Sequence, residues 1–388
     1  MYPHILSIYQ KPKQGNRFLA RYEVYNYRHK ISASGWFDTA SFSIKVGTED
    51  QANLFLEQFI GNRVAIHVDN PYEPIWEGLI SRLTFNGGGA AYTTSIDEMA
   101  NSVLVNYTNT STTTVMTPSS AGSDADSIAI YGYRYQIVDG GLMALGSGVQ
   151  TFRDTYLVQH AWPKSSFSAM PNSNGMIDVQ CIGFYQTLGW EPYRDTAATD
   201  TDYTTLVTLV KGALLNGSTF FDATDNTGLE ANALLLNRLH VKGESALDVL
   251  NKISESGDSG VWCIWGIEPT NYNTGKRRMY YRRANLNYAV RYTSRISEGL
   301  RVRNISGGLV APWNVTPDRI MQIQDYLVGY DLPGDNPTEF WIAGVEYDAE
   351  RMSVRLFGDD DTGIEGAFNY RRYLKAINRR NGSPRRLV

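Results

Sequence analysis

Residues 75–104, IWEGLISRLTFNGGGAAYTTSIDEMANSVL, leave few choices of local structure. Trp76, Leu79, Ile80, Leu83 and Phe85 carry the β-branched and aromatic bias of a strand, and Gly87-Gly88-Gly89 must turn or bulge before Tyr92-Thr93-Thr94 extends again. Ser95 and Glu98 have the spacing of a capping box, and Ile96, Met99, Ala100, Val103 and Leu104 follow at helical intervals, so a helix with one buried face is expected from Ser95. Strand, turn, strand and helix fill thirty residues with no evident catalytic group. That pattern points to a scaffold.

A chain of 388 residues exceeds what one core usually supports, so two or three domains are expected, each large enough to fold without staples. The two cysteines, Cys181 in VQCIG and Cys263 in VWCIW, sit in apolar strand-like runs and read as buried free thiols, with a single bridge as the alternative. Thirty-six basic residues against 40 acidic ones give a net charge of −4, which disfavours a nucleic-acid binder that works by neutralising phosphates. No apolar run is long enough to span a bilayer, and MYPHILSIYQKPK lacks the core of a signal peptide, so folding in the cytoplasm of the producing cell is expected. Twenty-five tyrosines and 35 glycines favour β-sheets; tyrosine, with an apolar ring and a polar tip, suits both sandwich packing and wet interfaces.

Strands are expected in 18–27, 40–46 and 64–68, with a short helix between the last two. Thr48 would cap it with Gln51 three residues on, Ala52, Phe55, Leu56, Phe59 and Ile60 form its stripe, and Gly61 stands where a left-handed cap belongs. Residues 1–107 therefore read as a first β-barrel module. The polar stretch 108–127 reads as a linker or loop, and 128–200 as the first part of a second β module. Strands are expected there at 128–135 and 176–182, with a helix near 149–160 that gathers Val149, Phe152, Tyr156 and Leu157 on one face. Residues 201–300 read as a helical and α+β segment. It has a stripe at Leu206, Leu209, Val210 and Ala213, a helix from Ser245 (paired with Asp248 at its start) to Gly257, and strands at 260–267 and 277–284. Residues 301–370 read as returning strands: Ile320–Leu327, then a hairpin of Phe340–Tyr347 and Met352–Phe357 around Asp348–Arg351. The tail 371–388 carries Arg371, Arg372, Lys375, Arg379, Arg380, Arg385 and Arg386 with no acidic residue; it is either a solvated end or an arm that docks on an acidic partner.

The five histidines, at 4, 29, 67, 160 and 240, never pair at helical spacing or stand beside a cysteine, and no phosphate-binding loop motif occurs, so neither a metal nor a cofactor is expected. The acidic groups Asp222/Asp225 and Asp359-Asp360-Asp361 suit turns better than catalysis. The sequons at Asn106, Asn109, Asn216, Asn304 and Asn314 read as chance matches.

The order of a strand-rich first module, a linker, SIAIYGYRYQI (127–137) before a helix, GFYQTLGW (183–190) and ESALDVLNKISE (244–255) resembles the baseplate hub or tail-associated proteins at the tip of bacteriophage tails. Residues 167–190 also echo 76–104. The resemblance implies a mainly β fold with a few short helices: two tail-tube-like β-barrel modules plus smaller α+β segments. It further implies a non-enzymatic homotrimer in the virion, at the tail tip or baseplate, made in the host bacterial cytoplasm. Its partners would be the tail tube or distal tail protein, a spike or fibre, and the tape measure protein. Two other readings stand beside it. In one, a tail adaptor or carbohydrate-binding module stacks sugars on Trp162, Trp190 or Trp313. In the other, a β-rich glycoside hydrolase works through two facing carboxylates.

Overall fold

Alternation of apolar residues builds the first five strands, because successive side chains in a strand point to opposite faces. β1 (His4–Tyr9) buries Leu6 and Ile8; β2 (Phe18–Ser32) buries Val24, Tyr27, His29 and Ile31; β3 (Gly35–Lys45) buries Phe37, Phe42 and Ile44. Helix α1 (Glu49–Gln58) forms as read: the Thr48 hydroxyl accepts from the Gln51 amide, Ala52 and Phe55 are buried, and Gly61 lies at φ +77°. β4 (Arg63–His67) and β5 (Trp76–Gly87) follow, and Gly88 and Gly89, at φ +63° and +81°, turn β5 back into β6 (Ala90–Ser95). The computed structural model describes residues 3–15, 17–68, 73–110, 116–143, 147–169, 175–192, 201–202, 220–222, 225–230, 235–236, 245–256, 263–271, 276–284, 291–295, 301–324 and 338–358.

The helix expected from Ser95 does not form. Ser95 ends β6 and its hydroxyl accepts from the Asp97 amide, while Glu98 is exposed and pairs with Lys164. A turn buries Ile96, Met99 and Ala100, after which β7 (Ser102–Asn109) buries Val103, Val105 and Tyr107 in strict alternation. The apparent helical stripe was thus a turn run into a strand, and β-branched Val103 and Val105 belong to the pleat.

The expected linker also carries structure: β8 (Met116–Pro118), β9 (Gly122–Ser123) and the start of α2 (Ala125–Tyr131). α2 replaces the strand expected at 128–135. Asp124 accepts from the Ser127 amide, Asp126 lies in the first turn, and Gly132, at φ +79°, ends the helix. β10 (Tyr135–Met143) then pairs in parallel with β7. α3 (Ser147–His160) covers them with Val149, Phe152, Tyr156 and Leu157, the face read from the sequence, and β11 (Lys164–Ala169) returns to pair with β6.

β12 (Met176–Ile182) next inserts between β3 and β5. The order β3-β12-β5-β4-β1-β2 closes through the β2–β3 pairing into a six-stranded barrel, antiparallel throughout. Residues 1–107 therefore do not complete a barrel alone, and the segment expected to open a second module supplies its sixth strand. The two stretches that echo each other include direct neighbours in one ring. Leu6, Ile8, Phe42, Ile66, Ile80, Leu83 and Val179 fill its core with Phe55 and Phe59.

A 3-10 helix at Phe184–Trp190 follows, and then β13 (Thr201–Asp202) and β14 (Leu235–Leu236) pair with each other. Helix α4 (Ala246–Ser256) is capped as read by Ser245, whose hydroxyl accepts from the Asp248 amide. It buries Ala246, Val249, Leu250 and Ile253 against β15 (Cys263–Asn271), β16 (Lys276–Arg283), Phe184 and Leu188, forming a second core. β15 joins the edge of β3. β17 (Arg291–Arg295), β18 (Arg301–Arg303), β19 (Arg319–Gln324) and β20 (Thr338–Ile342) make a separate sheet in the order β18-β17-β19-β20. β21 (Gly344–Asp348) and β22 (Ser353–Phe357) form a hairpin on β2. The expected strand Phe340–Tyr347 thus divides at Ala343, one half pairing with β19 and the other with β22. The hairpin extends a ring already closed by β12, while the β17–β20 sheet stands apart from it. The stripe at 206–213, Gly257, the aspartates at 359–361 and the tail 371–388 lie outside the described residues. The fold is mainly β with a few short helices, as expected; among the described residues one six-stranded barrel closes, with further sheets beside it, where two barrel modules were expected.

Candidate functional site

Two features of this scaffold bear on what it does: a buried ionic clamp that fixes its layers and an exposed aromatic edge. β4 and most of β5 are buried on both faces, with Leu79 of β5 packed into the second core, and charged groups lie inside with them. The Glu77 carboxylate receives Arg63 Nη2 at 2.9 Å and Arg277 Nε at 2.6 Å, with all three residues buried. Arg277 also donates to the Phe220 carbonyl and stacks 3.6 Å above the Phe184 ring, and Arg63 lies 4.3 Å from the Tyr9 ring. Burial alone would raise the Glu77 carboxyl, but the two guanidiniums outweigh it and hold the group below the usual carboxylate range. The clamp ties barrel strands to β16. Two guanidiniums share its one carboxylate, so the cluster keeps a net positive charge inside the protein.

The aromatic edge lies where the β5–β6 hairpin continues into β11. In register across the three strands stand Phe85, Tyr92 and Phe167. Phe85 packs on the barrel core, whereas Tyr92 and Phe167 are 47% and 64% exposed and meet edge to face at 5.0 Å. β11 is exposed along nearly its whole length, and among the described residues its outer edge pairs with no strand. Unpaired amides and carbonyls beside exposed aromatics form a template for another chain. Leu142 at 73% and Val158 at 80% add exposed apolar surface on β10 and α3.

The tryptophans proposed as sugar platforms are in different states. Trp162 is exposed at its ring, with Nε1 donating to Asp124; Trp190 is half-buried beneath the Arg134 guanidinium; Trp313 is buried against Tyr347, which rules out surface stacking. Asp225 accepts from the Thr227 hydroxyl and amide, which holds its carboxyl below the usual value and unsuits it to proton donation. Cys181 and Cys263 are buried in separate cores and do not bridge each other. Among the described residues no group of three potential ligands could hold a metal, and no helix is long and apolar enough to cross a membrane. The seven basic residues Arg371 to Arg386 lie outside the described part. Sequence reasoning missed Arg134 and Glu191. Burial pushes the Glu191 carboxyl up to about 7 against the pull of Lys13, and no spacing rule marks either residue.

No protein-family model matches the sequence, and no curated protein does. Three solved structures align over most of the chain. The tail protein from Neisseria meningitidis MC58 is 9% identical, covers 92% of this chain and 96% of its own, and gives a TM-score of 0.41. Prophage tail protein gp18 from Listeria monocytogenes EGD-e is 7% identical, with coverages of 97% and 99% and a TM-score of 0.37. A chain of the p2 virion baseplate in its activated conformation is 10% identical, with coverages of 92% and 98% and a TM-score of 0.31. The structural neighbours are thus tail and baseplate proteins, all at low identity.

Proposed function

We propose that this chain is a structural, non-enzymatic protein of a bacteriophage tail: a homotrimeric hub at the tail tip or baseplate. It would join the tail tube or distal tail protein to the central spike or fibre, and contact the tape measure protein. The observation that carries this reading is the Tyr92–Phe167 edge, where a rigid barrel extends a strand whose backbone and aromatic side chains remain open to a neighbour. A ring of copies needs a self-complementary or head-to-tail surface of this kind. The clamp at Glu77 supports the same reading, because an assembly component must hold its layers in fixed relation. The basic tail would dock on an acidic neighbour in the assembled particle.

The test is the native mass by light scattering across a concentration series. A trimer, or a concentration-dependent approach to one, supports the hub. A monomer at every concentration, with no particle formed alongside tail-tube protein, moves the weight to a monomeric adaptor that contacts the host surface.

A further inference from the structure

Beside the 3-10 helix that ends at Trp190 lies an open cleft of about 420 Å³. Arg134 stands in its lining yet is only 3% exposed. Its guanidinium lies 3.5 Å from the centre of the Trp190 ring, Nη1 donates to the Ile96 carbonyl at 2.8 Å, and Nε is buried without an acceptor. The two carboxylates of the cleft are engaged elsewhere, Asp97 by Arg82 at 2.7 Å and Glu98 by Lys164 at 3.0 Å. Asp97 draws on Arg134 at longer range, but among the described residues no carboxylate forms an ion pair with its guanidinium. Burial lowers its pKa to about 9, so it remains protonated at neutral pH. A desolvated guanidinium with no carboxylate bonded to it is costly, and a bound carboxylate relieves it.

The rim offers further polar groups. The Tyr156 hydroxyl donates to Gln136 Oε1 at 3.0 Å, which leaves the Gln136 amide NH2 as a donor. His160 Nδ1 donates to the Tyr156 carbonyl at 2.9 Å, which leaves Nε2 as the ring nitrogen that can meet a ligand. The Tyr156 and His160 rings stack at 3.9 Å and 5°, a flat apolar body beside these groups.

We propose that this cleft binds an acidic sugar, a hexuronic or sialic acid, with its carboxylate on Arg134, its hydroxyls on Gln136 and His160, and its ring against the Tyr156–His160 pair. A free acidic side chain would satisfy Arg134 but carries no hydroxyls for the rim, so the sugar is the better fit. This inference does not depend on the hub reading, and a trimer or a monomer could display the site.

Isothermal titration of the intact protein at low salt tests it, with D-glucuronate and N-acetylneuraminate as ligands and D-glucose and N-acetyl-L-glutamate as controls. Expected is a dissociation constant on the order of a millimolar for at least one acidic sugar, and binding at least about tenfold weaker for both controls. R134Q should abolish the signal, and Q136A should weaken it about tenfold. Silence from both acidic sugars, equal binding of glucose, or unchanged binding by R134Q overturns the proposal. N-acetyl-L-glutamate binding as tightly as the sugars would assign the cleft to a protein side chain and overturn the sugar. If thermal unfolding shows that R134Q does not fold, Q136A and Y156F decide; full affinity in both is the negative result.

Discussion

The carboxylate of Glu77 and the guanidinium of Arg277, 200 positions apart in the chain, meet at 2.6 Å inside the protein, with Arg63 closing the other side of the carboxylate at 2.9 Å. Removing one member leaves the others charged and desolvated. Glu77→Gln is expected to cost about 3–5 kcal/mol. Urea titration followed by tryptophan fluorescence checks this, and a midpoint within error of the parent would refute a structural role for the clamp.

Two buried groups give opposite pH dependences. Burial, with His4 nearby, holds His29 at about 3, so the stability it contributes is complete above its ordinary 6.5 and is lost as pH falls from there toward 3. Glu191 is raised to about 7, so its contribution is complete below 4.5 and is lost as pH rises through 7. Glu191→Gln should therefore stabilise the protein above pH 7 by on the order of 2 kcal/mol and change little at pH 4. Thermal melts at pH 4 and pH 8 measure the difference; equal shifts at both would contradict it.

Gly183 follows β12 directly, and a Cβ there would overlap the Phe37 carbonyl oxygen on the neighbouring strand. Its amide donates to the Asp38 carbonyl at 2.6 Å, so the backbone has little room to retreat. Gly183→Ala is expected to cost about 3 kcal/mol or more through overpacking at the barrel seam. Gly148→Ala, where a Cβ meets open space, serves as the control. Similar melting temperatures for the two variants would defeat this account.

Phe167→Lys should leave stability nearly unchanged, because the ring is 64% exposed, and should weaken self-association by introducing a charge on the edge strand. Sedimentation velocity distinguishes the cases. Undiminished association would place the assembly surface elsewhere.

Truncation after Ala367 removes the seven basic residues of the tail. A folded core with weaker assembly at physiological salt is expected; assembly at the parent level would make the tail a solvated end.

Short-range features were legible in the sequence. The cap at Thr48, the reversal at Gly88-Gly89, the face of α3 and the cap at Ser245 each depend on residues within a few positions. Residues 95–104 misled because burial at helical intervals also arises when a buried turn precedes an alternating strand, and only the β-branched pair Val103 and Val105 hinted otherwise. The closure of the barrel by Met176–Ile182 was not legible, because pairing with β3 and β5 is decided by distant partners. The same holds for the clamp and the cleft: Arg63, Glu77, Arg134 and Arg277 are ordinary surface-type residues until the tertiary fold buries them.

The late arrival of β12 also sets an order of events in folding. When the first 107 residues have been synthesised, β3 and β5 are the facing edges of an open sheet, and the strand that will sit between them is still more than 60 residues away in the chain. Closing the ring then requires a long-range search that pays loop entropy before any core contact rewards it, so it should be a slow step. Until it is complete, the nascent protein carries two sticky margins, and its yield in the cell depends on how quickly one seven-residue strand finds a slot one strand wide.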